Sequence, residues 1–139
     1  MSTCSNSLSY VNTIENIEFF QGDTVVLPFK FVDSDCRVIR IMPTDYFVWY
    51  LCPYGNYDMP VIVLDSRTDT NYIWYDTSKN VYYVKITDEL TRYLDYGKYV
   101  QQPVLFANSG SGVERFQRAE GTILLKRKIA ELNYETGGD

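Results

Sequence analysis

The residues best able to do chemistry in this chain are its acids and its three cysteines, and their spacing argues against catalysis. Asp65, Asp69, Asp76, Asp88, Glu89 and Asp95 lie in turn-like segments, where carboxylates serve as caps and keep the surface soluble. A glycosidase needs two carboxyl groups set across a cleft, and no motif marks such a pair. Histidine is absent. That removes the commonest general base, the usual serine and cysteine hydrolase arrangements and most zinc sites. Cys4, Cys36 and Cys52 form no C-x-x-C pair, and a cysteine nucleophile would lack its histidine. Free thiols in a reducing compartment are the simplest expectation, with Cys36–Cys52 pairing as the alternative. Asp33-Ser34-Asp35 opens like a calcium loop but lacks the required glycine and distal glutamate, so a turn is expected. The run SGSG at 109–112 carries no Lys-Ser/Thr ending and precedes a strand, so it is read as a hairpin loop rather than a phosphate cradle. The reading is a non-enzymatic protein with no cofactor and no metal.

Charge narrows the partners. A net charge of −5 argues against nucleic acid, which needs a basic face, and Lys126-Arg127-Lys128 is too short to outweigh it. No apolar run approaches the length of a membrane span, and the start MSTCSNSLSYVNT lacks the charged and apolar parts of a signal peptide. A soluble product made in a cytoplasm is expected. Thirteen Tyr, seven Phe and two Trp favour strands and exceed what one small core needs. Tyr46, Tyr50, Tyr54, Tyr72, Trp74 and Tyr75 are therefore candidate interface residues, since such rings give large contact area at low entropy cost. The alternative is that they complete the core of the monomer.

The elements that must position these rings are short strands. Turn signals recur at roughly ten-residue intervals between about seven to nine strands, the pattern of an all-β sandwich, with a small barrel as the competitor. Thr24 to Val32 alternates, placing Phe29 and Phe31 on one face; Pro28 within it suits an edge. Val38–Met42 is read as a strand. Asp45 to Cys52 places Trp49 and Leu51 together, and its second apolar face suggests a central strand covered on both sides. Val61–Leu64, Asn71–Tyr75 and Val81–Ile86 follow as strands, the last carrying Val84 inward. These residues, Phe29, Phe31, Trp49, Leu51 and Val84, are the expected core. Ile86 to Phe106 reads as one helical turn, N-capped by Thr87, feeding a long strand. Asp95, Gly97 and Tyr99 sit at the joint with the D-x-G-x-Y spacing of a tyrosine corner, although Tyr99 could simply begin a strand. Pro103 predicts a bulge or an unpaired edge. Residues 1–13 are read as a flexible arm, 14–129 as the sandwich and 130–139 as an acidic tail.

Four segments carry a resemblance: QGDTVVLPFKFVDSDCRVIRI, TDYFVWYLCPYG, NVYYVKITDELTRYLDYGKYVQQPVLF and RFQRAEGTILLKRKI. In that order they resemble the immunoglobulin-like domain at the N-terminus of phage baseplate upper proteins. Asp33-Ser34-Asp35, Trp49, Thr87-Asp88-Glu89, Gly97-Lys98-Tyr99 and Gly121-Thr122-Ile123 stand at the family's short motifs. Cys36 replaces the usual hairpin glycine, and no long receptor-binding region follows. The resemblance implies an immunoglobulin-like sandwich with no active site and no cofactor. It also implies a virion component of tail or baseplate, connector or capsid decoration, binding other virion proteins or further copies of itself. A carbohydrate-binding adhesion module is the competing expectation.

Overall fold

The computed structural model describes residues 16–32, 37–109, 112–118 and 120–127. The expected arm and tail, the Asp33-Ser34-Asp35 turn, Cys4 and Cys36 lie outside the described residues.

Among the described residues, nine strands and one helical turn follow one another. They are β1 (Ile17–Phe20), β2 (Val25–Phe29), β3 (Tyr46–Pro53), β4 (Ile62–Asp65), β5 (Ile73–Asp76) and β6 (Val81–Ile86). After these come α1 (Asp88–Thr91), β7 (Gly97–Ser109), β8 (Gly112–Arg118) and β9 (Gly121–Lys126). One sheet runs β1-β9-β7-β3-β4, with β8 also pairing β7; the other runs β2-β6-β5. This is an immunoglobulin-like sandwich, with β2, β6 and β5 in the places of strands B, E and D, and β3, β7 and β9 in those of C, F and G. β1 pairs parallel with β9, Ile17 opposite Ile123.

The core forms where the inner faces meet. Phe47 of the larger sheet packs against Phe29 at 5.5 Å, Phe31 at 5.2 Å and Tyr82 at 5.1 Å between ring centroids. Trp49, Leu51, Val84, Ile86, Leu105 and Ile123 fill the same layer and are buried. Fully burying each such side chain is worth about 1.5–3 kcal/mol, which is why alternation along the strands decides their orientation. Trp49 also brings a polar N–H inside. Its Nε1 donates to Oε1 of the buried Gln101 at 2.9 Å, so neither group is left unpaired.

Two local expectations are corrected. Val38–Met42 does not form a strand; only a bridge between Val32 and Val38 remains. The Asn80 side chain takes the place of a partner strand there. It donates to the Ile39 carbonyl at 2.9 Å and accepts from the Ile41 N–H at 3.2 Å. Thr87 stands at the N-cap of α1 in extended conformation, but its hydroxyl makes no capping bond and is buried without a partner among the described residues. Instead α1 is held at its other end. The Gln21 amide, from the β1–β2 turn, donates to the carbonyls of Thr91 (2.8 Å), Arg92 (3.1 Å) and Leu94 (3.2 Å), supplying donors to the orphan end of the turn. Near Pro103 the pairing does lapse. β9 pairs β7 up to Gln101 and β8 resumes at Val104 in the same register, leaving a gap opposite Gln102 and Pro103. The bulge itself lies further on, between Leu105 and Phe106. Pro28 sits on β2, an edge strand, where its missing N–H is tolerated.

Candidate functional site

The joint after α1 is structural. Gly97 adopts φ +141, a conformation side chains rarely take. The chain then enters β7, and the buried Tyr99 donates its hydroxyl to the Asp95 carbonyl at 2.6 Å. Burial, then the Asp95 charge, pushes the Tyr99 phenol up from its ordinary range.

The six candidate interface rings do not share one surface. Tyr46 and Tyr50 lie on the outer face of the larger sheet, because they alternate with the buried Phe47, Trp49 and Leu51. Trp74 lies on the outer face of the other sheet, on the far side of the sandwich, since its neighbour Ile73 points inward. Tyr54 is exposed at one end of the sandwich, with the Lys98 ammonium 4.4 Å from its ring centroid. Tyr72 and Tyr75 are half-buried and pack against the core. Tyr72 donates to Glu89 at 3.1 Å and Tyr75 to Asn80 at 2.5 Å. The candidate rings are thus divided between two opposed faces and one end of the sandwich. Residues close in sequence fall on different sheets.

Each face gains a ring that the sequence reading passed over. Trp74 stacks on Tyr83 at 5.5 Å and 26°, and the register continues the row to Pro28 on β2. Val26, also exposed, lies on the same strand two residues away. On the larger sheet Tyr46 stacks on Phe106 at 4.9 Å and 15°, and the Arg67 guanidinium lies 3.6 Å from the Tyr46 centroid. Arg67 donates to both carboxylate oxygens of Asp65, at 3.0 and 2.7 Å. That bond holds the Asp65 carboxyl below its usual range. Cross-strand register was the missing signal: Tyr46 faces Phe106 and Trp74 faces Tyr83 only once the strands are paired.

The larger sheet's outer face is also hollowed. Tyr50, Cys52, Tyr57, Pro60, Gln102, Val104 and Phe106 line a depression of about 350 Å³. Its floor is apolar, since Cys52 and Val104 are buried. Cys52 is a free thiol whose Sγ donates to the Tyr57 carbonyl at 3.7 Å. Burial first, then Asp58 and Glu120, pushes that thiol up, the opposite of what a nucleophile needs. At one wall Gln102 donates its amide to Glu120 at 2.8 Å. Burial likewise raises the Tyr50 phenol, with lesser contributions from Asp65 and Tyr46. Among the described residues no helix is long and apolar enough to cross a membrane.

No family model matches the chain, and no curated protein matches it in sequence. Among solved structures, the N-terminal domain of phage TP901-1 ORF48 matches with a TM-score of 0.55 and 6% identity. The match covers 86% of this chain and 94% of that one. The chain thus shares its fold with a domain of a phage protein.

Proposed function

We propose that this chain is a non-enzymatic structural subunit of a bacteriophage virion, acting through protein–protein contacts in a tail or baseplate, a connector or a capsid decoration. The observation that carries the reading is the likeness to a phage domain along nearly its whole length. It agrees with the order of motifs resembling baseplate upper domains. The surface supports the same reading: exposed Trp74 beside Tyr83 on one face, and Tyr46, Tyr50 and Phe106 on the other, are the residue types that dominate protein contacts. Its partners would be other virion proteins or further copies of itself.

The carbohydrate-binding alternative calls for rings lined along one groove, and the candidate rings are divided between opposite sides of the sandwich. The test is a pull-down of virion proteins with the purified chain, run beside a glycan array. Capture of a defined virion protein supports the assembly role. Saccharide binding with no protein partner overturns it.

A further inference from the structure

Lys126-Arg127, too short by itself to make a basic face, gains a third cation from β7. The strands β1, β9 and β7 carry Phe19, Ile123, Leu125 and Tyr99 into the core. The alternate residues Glu18, Phe20, Leu124, Lys126 and Lys98 therefore stand on the outer face of the larger sheet. Glu18, Leu124 and Lys98 lie side by side in one row, and Phe20 and Lys126 in the next. Three exposed rings border these rows, each with a cation over it. The Lys98 ammonium is 4.4 Å from the Tyr54 centroid, the Lys126 ammonium 5.2 Å from that of Phe20, and the Arg127 guanidinium 5.9 Å from that of Tyr96. Lys126 is neutralised by Glu18 at 2.6 Å, whereas Lys98 and Arg127 form no ion pair among the described residues. A chain of net charge −5 thus gathers cations at one corner. Beside them opens a groove of about 370 Å³ walled by the exposed Tyr54, Val61, Tyr93 and Tyr96.

We infer that this corner receives an acidic segment of a partner protein, one that presents a ring beside its carboxylates. Resting on the assembly reading, this states the chemistry of the partner. The ring would enter the tyrosine-walled groove, and the carboxylates would meet Lys98 and Arg127, which lie over two of its walls. Both cations are already held over rings, so little side-chain freedom is lost on pairing. Asp95 also lines the groove, which suits its interior to an uncharged group and leaves the acids to the rim. A nucleic-acid strand fits less well. It would carry its phosphates past Glu18 and Asp95 and across a protein whose net charge is −5. Phe20 and Leu124, exposed among the cations, offer apolar contact that a sugar–phosphate backbone does not use.

The test is an amide NMR titration of the full chain with the capped peptide acetyl-Gly-Glu-Phe-Glu-Gly-amide. A counterpart with both acids changed to glutamine, one with the ring changed to glycine, and hexathymidylate serve as comparisons. Saturating shifts centred on residues 18–20, 54, 93–98 and 124–127 are expected for the acidic peptide. Binding should be about fivefold or more weaker for each altered peptide. Lys98→Gln, at an exposed position, should weaken the acidic peptide several-fold while leaving distant amides in place. Equal binding of either altered peptide, tighter binding of hexathymidylate at those amides, an unaffected Lys98→Gln variant, or no shift at all would overturn the inference. The assembly reading is judged separately by the pull-down: capture of a virion protein alongside a failed titration removes only the acid-binding corner.

Discussion

Tyr99 shows how one hydroxyl can tie an element boundary. Its ring is buried against the core while its oxygen reaches back four residues to the Asp95 carbonyl. Tyr99→Phe keeps the ring and deletes the bond, so it should destabilise the protein by about 1 kcal/mol, read from denaturant midpoints at unchanged slope. An unchanged midpoint would mean that water replaces the phenol at no cost. Buried phenols also set an alkaline limit. Burial raises the folded-state values of Tyr82, Tyr99 and Tyr50 above the ordinary range. Above about pH 10 an unfolded tyrosine loses its proton while the folded one keeps it, so the unfolded state is favoured. Stability should be level through neutral pH and fall as pH rises past about 10. A midpoint that stays flat to pH 11 would contradict this.

At the scale of elements, the segment from Ile86 to Tyr99 works as a strap joining the two sheets. It leaves β6 of the smaller sheet, makes the single turn α1 and enters β7 of the larger. Four helical residues cannot be stable alone, so the strap depends on what grips it. Gln21 binds the carbonyls at its end, Arg92 pairs with Asp88 at 2.8 Å, and Leu90 and Leu94 pack on the core. Gly97 then sets the direction of β7. A Cβ there would meet nothing within 4 Å, so the cost of Gly97→Ala comes from φ +141 alone. That substitution should destabilise by about 1–3 kcal/mol. If thermal and denaturant unfolding matched the parent protein, the backbone would have relaxed without strain. The Asn80 side chain plays a comparable part elsewhere, holding 39–41 in place of a strand.

At the scale of the whole molecule, the sandwich presents two aromatic faces on opposite sides, and a protein that assembles through contacts can use either. The Trp74–Tyr83–Pro28 row crosses the three strands of the smaller sheet, whereas the Tyr46–Phe106 stack borders a hollow. Trp74→Ala and Tyr50→Ala, compared in the same virion-protein pull-down, should separate them. Truncating a central ring of the docking face should weaken capture by roughly 2 kcal/mol, while the other face changes little. Equal, negligible effects of both would place the contact elsewhere. Far-UV circular dichroism of each variant guards against simple unfolding. Much of this architecture was legible in the residues alone. The apolar runs at Asp45–Cys52 and Val81–Ile86 identified strands and set Trp49 with Leu51 on one face and Val84 inward, because a strand's side chains can only alternate between two faces. The D-x-G-x-Y spacing located the corner, because glycine and tyrosine there meet local requirements of backbone and burial. Pairing was not local and could not be read. Register alone decided that Tyr46 meets Phe106 and that Trp49 meets Gln101 through its indole. It also made a side chain, Asn80, replace a strand at 39–41. The division of the candidate rings between two opposed sheets belongs to the same class, since residues 50 and 74 are assigned to a common or opposite face only when the chain has chosen which strands to join.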